Sequence, residues 1–292
     1  MDTSIIIVNY NTTQLLINCI ETIYKHTSDV IFEIIVVDNS SPDRSIENLT
    51  EQFPEVKLIL HAENIGFGGA NNLGAEMAKG DFLFFLNPDT LLLNNTVKYF
   101  TEFHKSKEKE LRIGALGSVL LDNEQQINGS YSEEYSSFFK EITDSVKLNF
   151  KQNKRKEKFL NEDFKKVAWV SGADLFMRKD VFFEVNKFDE NIFMYYEEVD
   201  LQKRLNKKGL YNYIIKNPRI IHLEGGSFSG KMTINKKKII DKSRLYFYKK
   251  YSKNSFLFVV NRELFKALSW IKINKDYGKK EASEYIKFLN SL

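Results

Sequence analysis

A chain of 292 residues with 42% hydrophobic and 14% aromatic side chains has ample material for a packed core, which excludes disorder over most of its length. Its single cysteine, Cys19, excludes an internal disulfide framework and suits a reducing compartment, and a net charge of +4 is too small to argue for nucleic acid, so no partner of that class is expected. Met1-Asp2-Thr3-Ser4 runs straight into apolar residues with no basic leader, and no apolar run approaches the roughly 18 residues of a membrane span; the expectation is a cytoplasmic protein.

Along the first hundred residues, strand-like and helix-like segments alternate. Strands are expected at Ser4–Val8, Glu33–Val37, Lys57–Leu60 and Asp81–Leu86, because short continuous apolar runs suit buried parallel strands. Between the first two, Gln14–His26 carries Leu16, Cys19, Ile20 and Ile23 at helical spacing, and Asn11-Thr12-Thr13 offers N-caps. A further helix is expected over Gly68–Lys79 with Ala70, Leu73, Gly74 and Met77 on its inner face. This βαβαβ order predicts a doubly wound sheet. Beyond it come a helix near Asn95–Lys107, a strand near Ile113–Leu121, and a polar stretch Asn149–Lys166 that reads as a loop. Order resumes over Val167–Met177, and a helix over Tyr196–Lys208 is stopped by Gly209. Two short strands follow at Tyr211–Ile215 and Arg219–His222, and from Asn235 the chain reads as basic helix. The expected division is an α/β domain over 1–230 and a helical extension over 231–292.

Ligands of open α/β sheets bind beyond the carboxyl ends of the strands. Here those ends read Asn9-Tyr10-Asn11, Asp38-Asn39-Ser40-Ser41, Asn64 to Asn72, and Asn87-Pro88-Asp89. Each alone is ordinary turn chemistry. Gly66-Phe67-Gly68-Gly69-Ala70-Asn71 misses the dinucleotide fingerprint, with Asn71 in the place of the last glycine, and no phosphate loop occurs. Pro88 biases Asn87 toward extended geometry and ends the strand, presenting Asp89 at the edge. A carboxylate there suits Mg²⁺ or Mn²⁺ sharing its remaining positions with diphosphate and water. Glu197, Glu198 and Asp200 open a helix; they read as acids that complement its dipole, and Asp200 with Arg204 as an i,i+4 pair. His222 closes a strand.

Taken in order, these segments resemble the inverting family 2 glycosyltransferases, which have the GT-A fold, and most closely the rhamnosyltransferase-like branch of bacterial surface polysaccharide assembly. The similarity runs from Ser4 to about Ser227 and rests on Ile6–Asn11, Val36–Ser41, Asn64–Gly74, Phe85–Thr90, Ser171-Gly172-Ala173, Phe188-Asp189-Glu190 and Tyr196–Leu201. The resemblance implies a Rossmann-like, mostly parallel sheet flanked by helices, with a C-terminal helical extension. It implies a nucleoside-diphosphate sugar donor, dTDP-rhamnose or a UDP-sugar, and a glycan or lipid-linked glycan acceptor. Asn9, Tyr10 and Asp38 would then meet the nucleotide, Asn71 and Asn72 the diphosphate or sugar. Asn87 replaces the first acid of the family's Asp-x-Asp motif, leaving Asp89 and His222 to hold Mn²⁺ or Mg²⁺. Glu198 stands where the family's base falls, with Glu197 and Asp200 as the other candidates. No Gln-x-x-Arg-Trp segment is present, which points to transfer of one sugar rather than polymerisation. A catalytically silent sugar-nucleotide-binding protein is the alternative on the same fold.

The tail mixes lysine with apolar and aromatic residues, in Lys236-Lys237-Lys238-Ile239-Ile240, Tyr246–Tyr251 and Phe256–Lys272. It reads either as peripheral contact with an anionic membrane or as a helical appendage packed on the core or on a second subunit, in a homo-oligomer.

Overall fold

The computed structural model describes residues 1–42, 46, 48–146, 162–223 and 233–292. Of the sequence readings above, the polar stretch over 149–161 and the end of the family similarity, 224–227, lie outside these residues. The chain divides into two compact units: Met1–Glu134, Arg155–Phe193 and Glu197–Gly230 form the first, and Tyr135–Lys154, Met194–Tyr196 and Lys231–Leu292 the second.

In the first unit the expected strands form. β1 (Thr3–Asn9), β2 (Phe32–Asp38), β3 (Lys57–Leu60) and β4 (Phe82–Leu86) are parallel, in spatial order β3-β2-β1-β4. The sheet continues through β10 (Asp174–Arg178), antiparallel to β4, then β6 (Ile113–Ser118), β11 (Tyr211–Ile215) and β8 (Phe164–Val167). β8 corrects the sequence reading at its edge: Phe164–Lys166, expected as loop, pair with Tyr213–Ile215. Strand pairing and the Phe164–Tyr213 ring contact outweigh the local charge.

Alternation along the strands sorts the core into two faces. Ile5, Ile7, Phe82, Phe84 and Leu86 pack with Leu16, Cys19, Ile20 and Ile23 of α1 (Thr13–His26) and Val97 and Phe100 of α4 (Thr96–Lys107). Ile6, Ile35, Leu83 and Phe85 point the other way, toward Ala75 of α3 (Gly66–Met77), Phe182 of α6 (Lys179–Glu184), and Leu201 and Leu205 of α7 (Glu197–Lys207). Phe84, Phe85, Phe100, Phe176 and Phe182 are fully buried, each contributing about 1.5–3 kcal/mol relative to exposure.

Two details at the helix ends differ from expectation. Thr12 occupies the N-cap of α1, but its hydroxyl donates to Asn9 Oδ1 at 2.9 Å instead of capping the helix. α3 begins two residues early and turns Met77 to solvent, because its glycines and asparagines, not its long side chains, face inward. A Cβ on Gly74 would lie 2.5 Å from Ile6 Cγ2, so only glycine lets α3 lie this close to the sheet.

The second unit is helical: α5 (Phe138–Val146), α8 (Ile234–Tyr251), α9 (Ser255–Tyr277) and α10 (Lys279–Asn290). Phe138 stacks on Tyr248 at 4.8 Å and meets Phe258 and Phe265. Asp241, fully buried, receives Lys237 Nζ at 2.8 Å, Arg244 Nη1 at 2.7 Å and the Tyr285 hydroxyl.

Candidate active site

Strand order reverses beside β1: the chain proceeds outward through β2 and β3, then returns to β4 on the other side. The crevice beyond the carboxyl ends of β1 and β4 is the topological switch point, where the two connecting segments diverge and leave room for a ligand. At this edge Asn9 Nδ2 donates to Asp38 Oδ1 at 2.8 Å and to Ser41 Oγ at 3.2 Å, joining the ends of β1 and β2. Asp38 also accepts from Ser41 N and Ser41 Oγ at 2.9 and 2.6 Å. The turns that follow place Asn11 (φ 55°) and Ser40 (φ 67°) in the left-handed region, sparsely populated by residues with a Cβ. Tyr10, immediately before Asn11, is 45% exposed.

The loop from β3 to α3 is tied to the same edge by Asn39, a residue the sequence reading passed over as an ordinary turn asparagine. Its Nδ2 donates to Asn64 Oδ1 and Gly66 O, and its Oδ1 accepts from Ile65 N. Gly66 (φ 79°) has no alternative, since a Cβ there would lie 2.2 Å from the Phe193 carbonyl oxygen. Within α3, Asn71 Nδ2 donates to Phe67 O at 3.0 Å. Asn72 is a brace: Nδ2 donates to Phe188 O and Glu190 Oε1, and Oδ1 accepts from Phe188 N, all at 3.0 Å. Its amide hydrogens are both used.

Asn87, Asp89 and His222 come together although 133 residues separate the last two. The cause is the antiparallel pairing of β5 (Thr90–Leu92) with β12 (Ile220–His222), which sets His222 opposite Thr90. His222 Nε2 lies 3.3 Å from Asp89 Oδ1 and 3.4 Å from Asn87 Nδ2. Among the described residues no group of three or more His, Cys, Asp or Glu is placed to hold a metal. Asp89 and His222 could offer two ligands to a divalent ion that takes its other positions from diphosphate oxygens and water. Asp174 starts β10 and is close enough to His222 to feel its charge. It is fully buried, with Oδ2 accepting from Ser118 N and Oγ at 2.6 Å and Oδ1 without a hydrogen-bond partner among the described residues. Burial pushes its carboxyl up to about 7, against the opposing effects of Ser118 and His222. Asp174 directly follows the matched Ser171-Gly172-Ala173, and an acid opening the apolar run Leu175-Phe176-Met177 was the signal that could have found it.

The three acids of α7 divide sharply. Asp200, fully buried, is paired with Arg204 Nε at 2.8 Å, and Arg204 in turn donates to the carbonyls of Val185 and Lys187. It braces that turn and is not a free carboxylate. Glu197 and Glu198 each keep a buried Oε2 with no hydrogen-bond partner among the described residues. Glu197 sits against Gly68 and Glu198 against Gly172, each within van der Waals reach of where a Cβ there would stand. Burial, and then the neighbouring Glu198, hold the Glu197 carboxyl well above the usual glutamate range; burial also raises Glu198. Gly172 adjoins Ala173, whose carbonyl accepts from Asn87 N at 3.0 Å, so one short segment links the acidic pair to the Asn87-Pro88-Asp89 turn.

Comparisons with known proteins bear on the family and the fold. The model of glycosyl transferase family 2 matches residues 4–183. The N-acetylglucosaminyl-diphospho-decaprenol L-rhamnosyltransferase of Mycobacterium tuberculosis is 28% identical over 207 residues, 65% of this chain and 66% of that protein, so the match spans just under two thirds of the relative's length. Rhamnosyltransferase WbbL of Escherichia coli K12 is 24% identical over 204 residues, 68% of this chain and 75% of that one. Among solved structures, GalNAc-T7 with UDP, GalNAc and Mn²⁺ superposes with a TM-score of 0.61 at 16% identity, covering 99% of this chain and 54% of that one. Staphylococcus aureus TarS 1–349 in complex with UDP does so with 0.54 at 15%, covering 100% and 91%. These neighbours share the GT-A arrangement of a mostly parallel sheet flanked by helices. With the family model covering more than half of its length, the chain belongs to glycosyl transferase family 2.

Proposed function

We propose that the protein transfers a single sugar, with inversion, from a nucleoside-diphosphate sugar to a hydroxyl of a lipid-linked glycan, in cell-surface polysaccharide assembly at the cytoplasmic face of a membrane. The observation that carries the reading is the uncompensated acid pair Glu197–Glu198 beside the segment that positions Asn87 and Asp89. A folded chain leaves buried carboxylate oxygens unpaired at a cost of about 1–3 kcal/mol each, which marks them as held for a partner that arrives later. The printed names of the mycobacterial and Escherichia coli relatives favour rhamnose as the sugar and, for the first, a diphospho-polyprenol carrier for the acceptor. TarS and GalNAc-T7 were solved with UDP, which keeps a UDP-sugar as the other donor class.

In this reading the Tyr10 ring packs on the nucleotide base and Asp38 accepts a base N–H, with Asn9 holding Asp38 in place. Asn71 meets the diphosphate or sugar, while Asn72 shapes that wall by bracing Phe188–Glu190. Asp89 Oδ1 and His222 Nε2 are the atoms that would hold Mn²⁺ or Mg²⁺, which supplies charge neutralisation on the diphosphate leaving group. Glu198 is the carboxylate of the pair assigned as the base, with Glu197 buried beside it. Glu198 then takes the acceptor hydroxyl's proton as that oxygen attacks the anomeric carbon. The bond from that carbon to the diphosphate breaks, and the nucleoside diphosphate leaves with the electron pair. Raised by burial, the Glu198 carboxyl is a stronger base than an ordinary surface glutamate.

The test combines ligand-induced melting shifts with turnover. A nucleoside diphosphate or its sugar at a hundred times its Kd adds about 2.7 kcal/mol of stability. We expect a shift with one donor class that depends on Mn²⁺ or Mg²⁺ and disappears in Asp89→Ala. Glu198→Gln should keep the shift and lose transfer. A shift in neither state would remove the donor site, and full turnover in Glu198→Gln would remove the base.

A further inference from the structure

Within the second unit, α9 has two faces of opposite kind. Asn261, Phe265, Ser269 and Ile273 are buried, with Phe265 against Phe138 of α5. The other face is apolar yet open to solvent: Phe256 is 77% exposed, Leu257 55% and Ile271 57%, with Val260, Leu264 and Trp270 also exposed. Leu257, Val260, Leu264 and Ile271 recur at helical spacing over about four turns, forming a continuous stripe instead of scattered residues. A soluble surface of that extent marks an interaction site. No helix among the described residues is long and apolar enough to cross a membrane.

Charge decides between the occupants such a stripe could take. Residues 231–292 contain 16 lysines and arginines against 5 acids, a formal +11, so the preceding 230 residues carry −7 of the chain's +4. Two copies meeting through this region would bring together like charges of that size. An anionic lipid surface does the opposite, accepting the apolar stripe at the headgroup boundary and attracting the lysines around it. Lys275 falls in line with the stripe, and Lys253 precedes it; both are exposed, with stems long enough to carry the ammonium to the headgroups.

We infer that the exposed face of α9 docks the protein onto an anionic membrane surface, lying in the interface rather than spanning it. This goes beyond the transfer reading and does not depend on it. The test is co-sedimentation of the full chain with phosphatidylcholine vesicles, with and without phosphatidylglycerol. We expect at least about tenfold stronger binding to the anionic vesicles, weakened by salt. Leu257→Glu with Ile271→Glu should abolish binding, and Lys253→Glu with Lys275→Glu should reduce it about tenfold or more. All four positions are exposed, so unchanged melting temperatures check folding, and the nucleotide-induced melting shift on the same variants reports separately on the donor site. Equal binding by the glutamate variants, or equal binding to neutral vesicles, overturns the inference. So does a dimer in sedimentation velocity that the Leu257/Ile271 pair dissociates while vesicle binding is absent.

Discussion

Two buried acidic centres in this chain are built on opposite rules. Asp241, in the helical unit, meets Lys237, Arg244 and Tyr285. Arg244 Nε also reaches the Tyr196 hydroxyl at 3.0 Å and Glu141 Oε2 at 3.2 Å, so charge in this centre is answered by countercharge. Glu197 and Glu198, in the α/β unit, each have an Oε2 with no hydrogen-bond partner among the described residues, and Glu198 adds to the burial that raises Glu197. The difference teaches where stability was placed and where it was withheld. A compensated centre holds helices together, and an uncompensated one costs stability. The chain crosses between these regimes within a few residues: Tyr195 and Tyr196 both adopt left-handed φ, 68° and 71°, immediately before Glu197, and the Tyr196 hydroxyl is fastened to Glu141 Oε2 at 2.6 Å.

The contrast can be broken at several points. The largest effect belongs to Glu198→Gln, which should lower transfer by about 10²–10⁴-fold in steady-state assays while leaving the fold intact. Next comes Asp241→Ala, which strands Lys237 and Arg244. Denaturant unfolding should show a loss of about 3 kcal/mol, the low end for a broken buried pair because both cations keep some solvent access. A smaller effect of opposite sign is expected for Glu197→Gln. The folded pKa of Glu197 lies above the ordinary value of 4.5, so the penalty of ionising it is absent below about pH 4.5 and grows as pH rises toward the folded value. The variant should therefore melt higher than the parent at pH 8, by about 2–4 °C for each kcal/mol recovered, and equally at pH 4. A variant less stable at pH 8 would show that Glu197 is compensated after all. The smallest effect is set by an exposed pair: Lys107→Ala removes the 2.7 Å contact to Glu110 and should change stability by less than about 0.5 kcal/mol.

Much of the α/β unit was legible because its signals are local. Leu16, Cys19, Ile20 and Ile23 read as one helix face and are all fully buried, and Lys57–Leu60 and Tyr211–Ile215 form strands with the expected bounds. Gly209 ends α7 with φ 73°, as its position after the periodic run implied. Readings failed where the deciding partner is distant in sequence. Phe164–Lys166 became a strand through Tyr213–Ile215, and Met77 was displaced outward by glycines that let α3 approach Ile6. Cys19, legible only as a lone thiol, turns out to be a core residue near Thr90 Oγ1, with burial pushing its pKa up to about 12, too high for a nucleophile.

Sequence alone determined the order of strands and helices, the polar endings of four strands, the acids that open α7 and the basic character of the tail, because each depends on the spacing of residues along one segment. Only the tertiary structure decided which of those residues act together. It joined Asp89 to His222 through a strand pairing across 133 residues, consumed Asp200 in an ion pair and Asn72 in a brace, and left one oxygen each of Glu197 and Glu198 without a hydrogen-bond partner among the described residues. Burial and hydrogen-bond partnership are properties of what surrounds a side chain, and for these residues the surroundings come from segments tens to more than a hundred positions away.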